Sequence, residues 1–164
     1  MAILPIRLFP DPVLRKRSKP LGGKEAWIES FVKNLLETLY AQPNGIGIAA
    51  PQVGEPRRMI VVDVSPKDVT KHQQVMINPV IKAREGQILS REGCMSLPDY
   101  TANIVRSEKV LVEWTDLRGK KHQKSASGIE AVCLQHEIDH LNGVLFIDRA
   151  GSLKTDVFPR KRRR

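Results

Sequence analysis

"SGIEAVCLQHEIDHLNG", residues 127–143, decides the fold. Asn142-Gly143 supplies a helix stop, and Ser127 with Glu130 fits a capping box at the start. At about 100° per residue, Ile129, Val132, Cys133, His136 and His140 share one face, while Leu134, Ile138 and Leu141 share the opposite one. A helix apolar on both sides is buried on both sides, so it is expected to lie against a sheet and beneath other elements. The two histidines then point inward, where an unpaired ring costs a few kcal/mol. With Glu137 between them they form H-E-x-x-H, which on a helix offers two metal ligands on one face and an acid/base beside them.

Working outward, "KEAWIESFVKNLLETLYAQ" (24–42) carries Trp27, Ile28, Phe31, Leu35 and Leu39 at helical spacing, ended by Pro43-Asn44-Gly45. "GIGIAAPQVG" (45–54) reads as a small-residue loop. "RRMIVVDV" (57–64) and "QQVMINPVI" (73–81) are rich in β-branched residues and read as strands. Residues 87–98 look extended, 107–125 form a hairpin turning at Leu117-Arg118-Gly119, and "VLFID" (144–148) reads as a strand. The expected fold is α+β: mainly antiparallel strands around the buried late helix, plus one N-terminal helix. Residues 1–150 are expected to form a single catalytic domain, with 151–164 a short basic C-terminal tail.

The chain has 164 residues, enough to bury a core without staples. Its 41% hydrophobic and 27% charged residues exclude global disorder and a membrane protein. The opening "MAILPIRLFPDP" is broken by Pro5, Arg7 and Pro10, unlike a secretory leader, and two cysteines fit a reducing cytoplasm. Of the net charge of +9, five positive charges lie in Arg160 to Arg164. That run makes RNA proximity an accessory expectation, with no DNA or membrane partner.

Two histidines need a third ligand if they hold a metal. In the longer metalloprotease pattern the last histidine would fall at Phe146, and no glutamate follows Glu137. Cys133 is excluded by length, because the seven residues to His140 span about 10 Å of helix axis, while ligands lie within about 2.3 Å of one ion. His72 and His122 sit among lysines and read as surface residues. Cys94, in "EGCMSLP", lies in a short extended run after Gly93 and is the preferred third ligand; Asp148 is the rival.

Three blocks, "GIGIAAPQVG", "EGCMSLP" and "QHEIDH", in this order, make the chain resemble the peptide deformylase family. The resemblance runs from "DPVLR" to "GVLFIDR". It implies Cys94, His136 and His140 as metal ligands and Glu137 as acid/base. It implies Gln52 as a side-chain oxyanion donor, assisted by the Met95 N–H, and Gly47 as a backbone partner for an extended peptide. Ile46, Ile129, Val132 and Cys133 are candidates for the pocket taking a methionine side chain. Met95 stands where that family commonly has leucine, and the chain after Asp148 is short where bacterial members often carry a helix.

The activity so implied is removal of the N-formyl group from the first methionine of nascent peptides, releasing formate. The implied cofactor is ferrous iron, with zinc, nickel or cobalt able to substitute, and the implied location is cytoplasmic, near the ribosome. Two rivals stand beside this. One is a metallopeptidase using Asp148 as third ligand; the other is a non-enzymatic RNA-binding protein with a structural H-E-x-x-H.

Overall fold

The computed structural model describes residues 2–65 and 71–160. In chain order the elements are α1 (Ile28–Tyr40), β1 (Gly47–Ala49), β2 (Met59–Val62), β3 (Gln74–Glu85), β4 (Ile88–Cys94), β5 (Leu97–Arg106), β6 (Lys109–Thr115), β7 (Lys121–Ser127), α2 (Gly128–Leu141) and β8 (Val157–Pro159). The strands form two sheets, β1-β2-β3-β6-β7 and β4-β5-β8, and every pair within them is antiparallel.

β2 shows how the larger sheet is covered. Its four residues, MIVV, are all buried. Because successive side chains point to opposite faces, Ile60 and Val62 enter the core under α2 with Leu134, Ile138 and Leu141. Met59 and Val61 enter the core under α1 with Leu35 and Leu39. A third core, built from Leu14, Leu97, Ala102, Ile104, Leu145 and Phe146, packs on the smaller sheet and includes Cys94. α2 is therefore buried on both sides, as its sequence requires, and every residue from Cys133 to Leu141 is buried.

Close approaches fix the position of α2. Gly143 has φ +73°, and a Cβ there would lie 2.5 Å from the Arg15 carbonyl oxygen, so only glycine fits the helix exit. At the other contact, a Cβ on Gly47 would lie 2.7 Å from Cys133 Sγ and 2.8 Å from Glu137 Oε2. β1 can run alongside α2 because residue 47 has no side chain.

Several sequence expectations are corrected. Ser127 is the N-cap of α2 but makes no side-chain cap bond; Glu130 is instead drawn to Lys124 Nζ at 3.1 Å and Gln74 Nε2 at 3.0 Å. "VLFID" is no strand: Phe146–Arg149 form a 3-10 turn. The expected loop at 45–54 contains β1 followed by a 3-10 turn, Ala50–Val53. Within residues 151–164, expected as a tail, β8 pairs with β5 through Tyr100↔Pro159 to Ala102↔Val157. Lys161 to Arg164 of the basic run lie outside the described residues. Among the described residues, no helix is long and apolar enough to cross a membrane.

Candidate metal centre and cleft

The last residue of β4 and the third and fourth turns of α2 meet where the smaller sheet passes over the helix. There Cys94, His136 and His140, all buried, place one donor atom each within 4.8 Å of one another. Cys94 Sγ is 3.4 Å from His140 Nε2. Bonds of about 2.0–2.3 Å around one ion put tetrahedral donors roughly 3.3–3.8 Å apart, so a small adjustment brings all three onto a cation. A thiol with two imidazoles is a donor set for zinc or another first-row transition ion. Cys133 lies outside this group, as its spacing requires. Asp148 does too: its carboxylate pairs with Arg15 and accepts the Leu145 N–H at 2.8 Å.

His136 is oriented from behind. Its Nδ1 lies 2.9 Å from Glu92 Oε1, which leaves Nε2 for the site. Glu92 also receives Nε and Nη2 of Arg106, each at 2.8 Å, and Arg106 Nη1 reaches Asp139 Oδ2 at 2.7 Å. Arg149 closes the row with two bonds to Asp139, at 2.6 and 2.8 Å. Burial acts to lower the pKa of His136, but the carboxylates of Glu137 and Glu92, with Cys94, outweigh it and hold the ring well above its usual range. The field that favours a proton there favours any cation. Burial, aided by the neighbouring His136, pushes His140 well below its usual range and keeps it neutral, as a ligand must be.

Glu137 is buried beside these ligands, and burial raises its pKa to about 7. Its Oε1 has no hydrogen-bond partner among the described residues, nor has His140 Nδ1. Gln52 approaches from the 3-10 turn after β1. Its Oε1 accepts the Ala49 N–H at 3.0 Å, which turns Nε2 toward Ser96 Oγ at 3.2 Å and Cys94 Sγ at 3.5 Å. The amide thus aims its donor side at the centre.

These groups open onto a cleft of about 590 Å³. Gly47, Gln52, Cys94, Met95, His136 and Glu137 line its floor, and Ile46, Ile129, Val132 and Cys133 line a more apolar wall. Burial, then the charge of Glu137, raises the pKa of the Cys133 thiol well above its usual range, so it acts as an apolar wall. Ile129 sits on the first turn of α2 and is 63% exposed, at the rim rather than inside. His72 is exposed, and His122 is half-buried, stacked on Trp114 and paired with Asp116. Of the residues proposed from the sequence, Gly47, Gln52, Cys94, Met95, His136, Glu137, Ile46, Val132 and Cys133 line the floor or wall, and Ile129 stands at the rim. His140 is buried behind the floor beside Cys94, and Asp148 lies outside. Glu92, Arg106, Asp139 and Ser96 were missed; a charged residue two before Cys94, and so on the same face of β4, was the one available sign.

The family model described as polypeptide deformylase matches residues 3–156. A peptide deformylase from Thermodesulfovibrio yellowstonii is 46% identical over 161 residues, covering 98% of this chain and 97% of its own length. The structure of peptide deformylase from Thermotoga maritima superposes with a TM-score of 0.84 at 38% identity, over 92% of this chain and 99% of that one. A class I type b peptide deformylase from Acinetobacter baumannii, solved with Met-Ala-Ser bound, superposes with a TM-score of 0.82 at 32% identity, over 90% and 98%.

Proposed function

The chain belongs to the polypeptide deformylase family, and on that premise we propose that its cleft hydrolyses the N-formyl group from the first methionine of newly made proteins, releasing formate. The observation that carries the reading is the meeting, in one cleft, of a Cys-His-His donor set, a buried carboxylate with an open oxygen, and an amide donor aimed between them. A divalent cation held by Cys94, His136 and His140 would acidify a water and polarise the formyl carbonyl.

The chain's own residues supply the rest. Glu137 takes the proton from the attacking water as the new C–O bond forms, and a carboxyl whose pKa is near neutrality can give that proton back. It delivers it to the methionine nitrogen as the C–N bond breaks, leaving formate and a free amine. Gln52 Nε2 donates to the carbonyl oxygen as negative charge gathers there, with the Met95 N–H beside it. β1 and β4 are edge strands, so a peptide lying between them can pair with exposed backbone, and Gly47 leaves room for it. Ile46, Val132 and Cys133 form the wall for the methionine side chain, with Ile129 capping its outer end.

We assign ferrous iron as the working ion, with nickel or cobalt as active substitutes and zinc as a slower one, because a thiolate ligand already lowers the demand of the ion for electrons. In this reading the enzyme acts in the cytoplasm where chains emerge, and the positive charge of the run Arg160 to Arg164 favours nearness to ribosomal RNA. The metallopeptidase reading is disfavoured by the engagement of Asp148 with Arg15. The test is formate release from formyl-Met-Ala-Ser under anaerobic conditions, with metal analysis of the same sample. Stoichiometric metal with formate release supports the reading; a metal-loaded protein that releases none contradicts it.

A further inference from the structure

Hydrolysis engages the floor of the cleft, and the mouth carries a separate set of side chains. The cleft follows β4 outward from Cys94 past Gly93 to Arg91 and Ser90. β8 shapes this mouth twice. Its Phe158 ring lies 3.9 Å from the guanidinium carbon of Arg91, which is fixed further by Nε on Thr101 Oγ1 at 3.0 Å and Nη1 on Asn103 Oδ1 at 3.4 Å. Arg160, directly after β8, is held by its N–H on the Asp99 carbonyl at 2.7 Å. Its guanidinium hangs over Gly93, with Nη1 3.2 Å from where a Cβ would stand. Both cations line the cleft, and among the described residues the only carboxylates lining it are Glu92 and Glu137. Glu92 is buried and bound to Arg106, and Glu137 belongs to the catalytic floor. The mouth is therefore positive with no exposed acid among its lining residues.

An extended peptide advances about 3.3 Å per residue. With the methionine at Cys94, the third residue lies roughly 7 Å along β4, on the stretch of the cleft lined by Arg160, whose guanidinium hangs over Gly93, and by Arg91. We propose that Arg160 and Arg91 form a cationic subsite favouring formylated peptides whose third residue carries a carboxylate side chain. The inference rests on the deformylase reading and deepens it. Arg91 supplies a charge held by stacking and Arg160 one carried over Gly93, so the carboxylate gains attraction at a solvent-facing rim rather than in a buried pair.

The experiment compares kcat/KM of the metal-loaded enzyme on C-terminally amidated formyl-Met-Ala-Glu, formyl-Met-Ala-Gln and formyl-Met-Ala-Lys. The expected order is Glu, Gln, Lys, with a Glu-to-Lys ratio of about five to ten at low ionic strength, expressed in KM and shrinking toward two in about 0.5 M salt. Arg160→Glu should reverse the order, and Arg91→Gln should reduce the ratio. Each ratio compares two peptides on one preparation, so partial loss of folded enzyme cancels. Formate from all three peptides at equal kcat/KM, or an unchanged ratio in both variants, overturns the subsite while leaving the deformylase reading intact. No formate from any of the three overturns both.

Discussion

Two polar clusters share the C-terminal half of α2 and differ in whether the protein completes them. Behind His136, the row Glu92–Arg106–Asp139–Arg149 answers every charge with an opposite one, joining β4, β5, α2 and the 3-10 turn at Phe146–Arg149. Arg106 is almost wholly buried, yet all three of its guanidinium nitrogens are bonded. In front, around the cleft, Glu137 Oε1 is buried without a hydrogen-bond partner among the described residues, and burial raises the pKa of its carboxyl to about 7. The rear cluster is finished by folding, so it contributes rigidity. The front cluster is finished only by a cation, water and substrate, so it contributes chemistry at some cost in stability. Glu92 connects the two: its Oε2 accepts from Arg106 Nε, and its Oε1 meets both Arg106 Nη2 and His136 Nδ1.

That contrast can be broken by substitutions that exchange the two behaviours. Glu137→Ala should lower kcat by several orders of magnitude, about 4 kcal/mol or more of transition-state stabilisation, while keeping the bound metal and a Tm equal to or above that of the native chain. Formate kinetics, metal analysis and calorimetry on one preparation check it, and near-native turnover would remove Glu137 from the base role. Arg106→Met should do the reverse. It takes the guanidinium from between two buried carboxylates, leaving Glu92 with His136 and Asp139 with the half-exposed Arg149, so unfolding in urea should show a loss of about 3–5 kcal/mol. A loss below about 1 kcal/mol would mean that the row is not what holds β5 to α2.

Gln52→Leu should cost about 3 kcal/mol, roughly a hundredfold in kcat, with KM nearly unchanged, because the oxyanion exists only beyond the ground state. A raised KM with kcat intact would assign Gln52 to ground-state binding. The smallest effect concerns acid. Burial alone would raise the Glu92 carboxyl, but Arg106 and His136 outweigh it and leave it below its ordinary 4.5. A lowered folded value gives stability that is present above pH 4.5 and lost as pH falls through that folded value. Glu92→Gln should therefore flatten the acid limb of the stability curve below pH 4.5, read as Tm against pH, and an unchanged limb would contradict the assignment.

The parts legible in sequence were those governed by local spacing. The double-faced pattern from Leu134 to Leu141 announced a buried helix, and i, i+4 spacing put His136 and His140 together. Cys94 followed because few other donors remained. The parts that stayed hidden depend on distant partners. Arg106 meets Glu92 across 14 residues and Asp139 across 33, separations that carry no periodic signal. "VLFID" has the composition of a strand, but Asp148 Oδ2 accepts the Leu145 N–H and closes a turn instead. Ser127 and Glu130 have capping-box spacing, yet Lys124 on the adjoining strand competes for the glutamate. Ile129 falls on the correct helical face but one turn too early to be covered. β8 is three residues long, too short for any pattern, and is defined by its pairing with β5.

The central claim is that one cation is held by Cys94, His136 and His140, with Glu137 beside it as base and not as ligand. Metal content per chain, measured by mass spectrometry on anaerobically purified native, Cys94→Ala, Asp148→Ala and Glu137→Ala proteins, addresses it most directly. The account predicts about one ion per chain in the native, Asp148→Ala and Glu137→Ala proteins and a loss of at least tenfold in occupancy for Cys94→Ala. Full occupancy in Cys94→Ala, or loss of the ion in Asp148→Ala with its fold intact, would contradict it.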